Sequence, residues 1–69
     1  MGQSRPLTKR EIEVLGLLAQ GHTARRAGEF LGITPRTVSA HTQSIVSKLG
    51  TQNCTHAVAV AVRNGLIRP

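Results

Sequence analysis

From Thr34 to Ser47 the chain reads TPRTVSAHTQSIVS. Wound as a helix, this stretch places Arg36, Ser39, Ala40, Gln43 and Ser47 on one face by the i, i+3, i+4, i+7 rule. That face carries one cation, two hydroxyls, a methyl and an amide, with no acid and no large apolar group. It is a poor face to bury, and its chemistry is that of base-edge recognition. The Gln43 amide can pair with adenine through two hydrogen bonds, Ala40 can pack on a thymine methyl, and Ser39 can donate or accept. Small side chains let a helix backbone approach the floor of a DNA groove. The plain alternative is a solvated polar face with no partner.

A second set of residues has the chemistry of phosphate binding. Thr23, Arg25 and Arg26 fall at the start of one helix and Thr34, Arg36 and Thr37 at the start of the next, where free N–H groups and the helix dipole favour an anion. Lys48, near the end of the second of these helices, can reach another phosphate. For any one of them a solvated charge or a simple helix cap is the competing explanation. With about five phosphates neutralised per domain, log K would fall with log salt at a slope of ~−4 to −5. The overall charge agrees: nine Lys and Arg face three acids, a net +6, and nothing after Glu29 is negative. Such a field attracts polyanions.

Other chemistries find little support. His22, His41 and His56 lack ligand company at short spacing, so no metal site is expected. His41 reads as a helix-junction residue with a ring nitrogen bonded to backbone. Cys54 has no evident base beyond His56 and reads as inert packing. There is no Asp and no phosphate-binding glycine loop, so neither catalysis nor a cofactor is expected. Phe30, the only Phe, Tyr or Trp, gives no platform for stacking single-stranded bases. A lone cysteine excludes an internal disulfide and fits a reducing, cytoplasmic setting. No apolar run reaches the roughly 18 residues of a membrane span, and no signal peptide is visible.

The elements that would position these groups are well punctuated. A 69-residue chain is one small domain, or part of a longer chain, that buries only about 60% of its unfolded surface. Residues 1–6 (MGQSRP) read as a flexible lead-in or linker and 7–69 as the domain. Thr8 and Glu11 form a capping box, with Leu7 and Ile12 as a hydrophobic staple. Ile12, Leu15, Leu18 and Ala19, flanked by Val14, then continue the helical period of a first helix that ends at Gly21. Gly16 inside it costs ~1 kcal/mol relative to Ala. Thr23 caps a short second helix with inner face Ala24, Ala27, Gly28 and Leu31. Gly28 allows a close approach of the next helix, and Gly32 makes the turn above Ile33. Thr34 and Pro35 open a longer third helix that buries Val38, Ile45 and Leu49 and closes at Gly50. Helix, glycine turn and longer helix is the helix-turn-helix pattern. Residues 57–62 (AVAVAV) alternate like a strand, but with no strand partner elsewhere they read as a fourth helix between Asn53 and Gly65. That helix is apolar nearly all round, which points to self-association.

Taken together, the runs LTKREIEVLGLLAQGHT, FLGITPRTVSAHTQSIVSKLG and AVAVAVRNGLI resemble the LuxR-type (GerE-like) helix-turn-helix domain from Leu7 to Ile67. The resemblance implies an all-α, four-helix domain that binds double-stranded DNA sequence-specifically in transcriptional regulation. It implies Ser39, Ala40 and Gln43 aimed into the major groove, and a homodimer on DNA formed through the fourth helix. Ala57, Val58, Ala61 and Val62 are the residues expected there. A sensory or receiver domain would precede this one in the full-length protein, with RNA polymerase as a further partner. The chain departs from the family pattern in several places. Arg26 replaces the glutamate that would complete a capping box with Thr23, and its charge opposes the helix dipole. Ala27 and Gly28 are smaller than usual and should weaken helix packing. Thr42 stands in place of a larger aliphatic, and Cys54 in place of an arginine. Two rivals remain: a sigma-factor-like promoter-reading domain, and a protein-interaction module docking through Ala57–Val62.

Overall fold

In a computed structural model the described residues, 7–68, form four helices and no strand. They are α1 (Lys9–Ala19), α2 (Ala24–Leu31), α3 (Pro35–Leu49) and α4 (Cys54–Arg63). The lead-in at 1–6 lies outside the described residues. Each helix starts where its cap requires. Thr8, Thr23, Thr34 and Asn53 all have extended backbone and accept from the amide three residues on. At Thr8 the box is reciprocal, since Glu11 Oε1 accepts from the Thr8 amide at 2.9 Å and Thr8 Oγ1 accepts from the Glu11 amide at 3.1 Å. The AVAVAV stretch is helical, because helix satisfies its backbone groups without a second strand.

Helix α3 is central and packs against the other three. The core draws on all four helices through Val14, Leu15, Ala27, Val38, Ile45, Ala57 and Ala61. In α1 the buried row keeps Val14, Leu15 and Leu18 of the apolar pattern but not Ile12. It runs through Glu11, Val14, Leu15 and Leu18, while Ile12 is turned out and is 37% exposed. An acid, Glu11, takes the inward place at the start of the row, and Ile12 beside it faces out. The α2–α3 turn rests on two glycines. Gly32 has φ 71°, a left-handed conformation that side chains disfavour. At Gly28 a Cβ would stand 2.5 Å from the Ile33 carbonyl oxygen. Far from loosening the packing, the missing side chain lets the start of α3 approach α2 this closely.

Candidate nucleic-acid interface

Pro35 to Leu49 wind so that Val38 and Ile45 point into the core, which turns Arg36, Ser39, Ala40, Gln43 and Ser47 outward. All five are exposed. The structure therefore brings the four residues expected to face bases onto one open surface, with Ser47 extending it by a turn. Among the described residues neither Gln43 nor Ser39 spends its side chain on a hydrogen bond, although the Ser39 carbonyl accepts from Thr42 Oγ1 at 2.8 Å. Thr42 is half-buried there, its hydroxyl satisfied locally.

The starts of α2 and α3 carry the second set of groups. Thr23 Oγ1 accepts from the Arg26 amide at 3.1 Å, and Thr34 Oγ1 from the Thr37 amide at 3.1 Å. The amides of Ala24, Arg25 and Arg36 lie in first turns, where no intrahelical acceptor exists. The Thr34 and Thr37 hydroxyls share one hydrogen bond at 3.0 Å, which uses one donor and leaves one for a ligand. Arg25 and Arg26 are exposed but not unpartnered. Glu29 bridges both, at 3.8 Å and 3.2 Å, and the Arg26 guanidinium lies 5.5 Å from the Phe30 ring centre. The conflict between Arg26 and the helix dipole is thus partly relieved within α2. Pairs this exposed contribute about 0–1 kcal/mol and yield readily to a phosphate.

Two expected assignments meet contacts within the domain. Lys48 is not a free cation, because its Nζ sits 2.8 Å from Glu11 Oε1 and its side chain is only 16% exposed. Ser44 Oγ donates to the other carboxylate oxygen at 2.6 Å. Burial alone would raise the Glu11 carboxyl, but hydrogen bonds from Lys48, Ser44 and the Thr8 amide hold it at about 2. Position 48 lies one turn past Ser44 on the side of α3 that meets α1, so its charge is used inside the domain. The second correction concerns α4. Ala57 and Ala61 are fully buried in the core of their own domain and cannot meet a second copy. Their small side chains are what let α4 pack closely. Val58 and Val62 are half-buried, Val58 against the core, while Ala59 and Leu66 are exposed.

The remaining titratable groups add no competing site. Burial pushes the Cys54 thiol up, which keeps it protonated and unreactive near neutrality. His41 is half-buried, and the ring hydrogen bond expected of it is not found among the described residues. Among the described residues there is also no cluster of three or more His, Cys, Asp or Glu able to hold a metal, and no helix is long and apolar enough to cross a membrane. The residue that sequence reasoning missed is Glu11. Its capping-box role was legible, but its partners Ser44 and Lys48 lie 33 and 37 residues away.

Comparison with known proteins agrees with this geometry. The family described as "Bacterial regulatory proteins, luxR family" matches residues 5–61. The chain is 47% identical over 66 residues to the transcriptional activator protein BjaR1 of Bradyrhizobium diazoefficiens, covering 96% of this chain and 27% of that protein. It is 48% identical over 61 residues to the transcriptional regulatory protein LiaR of Bacillus subtilis, covering 88% and 29%. It thus spans less than a third of the length of these relatives. The solved structure of the transcription factor GerE superposes with a TM-score of 0.84 at 30% identity, over 91% of this chain and 96% of that one. A four-helix fold, an exposed polar face on α3 and a family match over most of the sequence agree, and the chain belongs to the luxR family of bacterial regulatory proteins.

Proposed function

We propose that this chain is the DNA-reading domain of a bacterial transcriptional regulator. Helix α3 lies in the major groove with Ser39, Ala40 and Gln43 toward the base edges and Arg36, in its first turn, toward a flanking phosphate. Thr23, Arg25, Arg26, Thr34 and Thr37 hold the flanking phosphates. The observation that carries this reading is the outward face of α3, which is exposed along its length and free of acid and of bulk. A face meant for another protein would carry apolar anchors, and this one has none. With Lys48 committed to Glu11, the cations left for phosphate are Arg25, Arg26 and Arg36. The salt slope is therefore about −3 per domain instead of −4 to −5.

In the full-length regulator the domain follows a sensory or receiver domain in the cytoplasm and acts together with RNA polymerase. It pairs with a second copy on DNA through the outward side of α4, where Ala59 and Val62 replace the buried alanines as the contact. The test is an amide-shift titration with short duplexes at low and then physiological salt. Shifts confined to Thr23–Arg26 and Thr34–Ser47 that weaken with salt support the reading. A silent α3 surface in a folded chain would sink it.

A further inference from the structure

Along the outward face of α3 the cations are unevenly placed. Arg36 stands at the N-terminal end, while Lys48, the cation of the C-terminal end, is turned inward onto Glu11. Between them Ser39, Ala40, Gln43 and Ser47 are exposed and neutral. In the major groove guanine is read best by a cation reaching O6 and N7, adenine by an amide on N6 and N7, and thymine by an apolar contact with its methyl. The middle of this face holds partners for adenine and thymine and no cationic partner for guanine.

Resting on the DNA-reading role proposed above, we infer that the domain selects A·T pairs at the centre of its half-site, with Gln43 on an adenine and Ala40 on the thymine methyl of the neighbouring pair. The two side chains are three residues apart, ~4.5 Å along the helix axis. Successive base pairs are ~3.4 Å apart, so the two meet adjacent pairs. Gln43 is exposed, and no described residue holds its amide. Ser39 and Ser47 bond to any base edge and discriminate little. Affinity and choice are then carried by different groups: the arginines on phosphate supply the first and two uncharged side chains the second.

The experiment is selection from random duplexes by the 69-residue chain at low salt, followed by binding to the selected duplex with single atoms changed. The expected half-site contains adjacent A·T pairs. Replacing its adenine by 7-deazaadenine removes N7 and weakens the wild type about tenfold. Gln43→Ala shows no further loss from the same replacement. Replacing the neighbouring thymine by uracil removes the methyl and weakens the wild type about threefold, with no effect on Ala40→Gly. Each ratio is taken within one variant, so any change in folding cancels. Gln43→Arg moves the preference at that position to guanine. If the position that responds to Gln43→Ala is G·C, or no position responds, the A·T assignment is overturned and the DNA-reading role stands. If no duplex is enriched while the amide spectrum is that of a folded chain, both are overturned.

Discussion

Ser44 and Lys48 on one side of α3, and Ser39, Gln43 and Arg36 on another, are polar side chains of the same helix with opposite duties. Ser44 and Lys48 face α1, where the carboxylate of Glu11, 4% exposed, takes a hydrogen bond from each. Ser39, Gln43 and Arg36 face solvent, where among the described residues nothing takes theirs. A serine hydroxyl is structural on the first face and available on the second. The difference comes from what stands opposite, and a buried polar group left without a partner is costly. The inner polar face therefore fixes where α3 sits, and the outer one is free to meet a ligand.

The sharpest way to break this contrast is at Glu11. Glu11→Gln leaves Lys48 nearly buried without its counter-charge and should cost about 3 kcal/mol, read as a lower midpoint in chemical denaturation. That is a large share of the roughly 3–10 kcal/mol a domain of this size possesses. Acid should act on the same group. The Glu11 carboxyl is held at about 2 in the folded chain against an ordinary 4.5. Its contribution is therefore complete above pH 4.5 and is lost as pH falls from 4.5 through about 2. The loss is on the order of 3 kcal/mol, and the acid limb of a stability–pH profile should flatten in Glu11→Gln.

Gly28→Ala tests whether the position of α3 matters to both faces at once. A Cβ placed 2.5 Å from the Ile33 carbonyl oxygen meets backbone that cannot rotate away, so the α2–α3 turn must shift at a cost of about 2 kcal/mol. Amide shifts should then change along α2 and α3, and binding to every duplex should weaken. On the outer face Gln43→Ala should leave stability within about 0.5 kcal/mol while changing base preference in a selection experiment. Arg25→Ala should weaken binding to all sequences about equally and reduce the salt slope by about 1. Equal effects of these two on specificity would count against the separation of roles. The smallest effect is at Gly16, in a helix interior where an added Cβ meets nothing within 4 Å. Gly16→Ala should raise stability by about 0.5–1 kcal/mol without touching DNA binding.

The four helices, their caps and the exposed face Arg36–Gln43 were legible because each is written in residues a few positions apart. A threonine and the amide three residues on, a glycine after the last turn, and residues spaced around 3.6 are local statements. Where reading by pattern failed, a charged or very small residue sat in the interior. At the start of α1 the inward place belongs to Glu11 and not to Ile12. Ala57 and Ala61 are expected on a dimer surface because the fourth helix is apolar nearly all round, and composition alone does not say which side of such a helix is inside.

Local chemistry along the chain determined which segments are helical, where they start and stop, and that one face of α3 is too polar and too small to bury. Packing determined the rest: that Lys48 pairs with Glu11, that the alanines of α4 fill the core, and that the absent side chain at Gly28 is what seats α3. Backbone hydrogen bonds and caps link neighbours in sequence and are written there. A partly buried ion pair depends on groups 37 residues apart coming together, and only the folded arrangement of α1 against α3 brings a carboxylate and an ammonium within 2.8 Å.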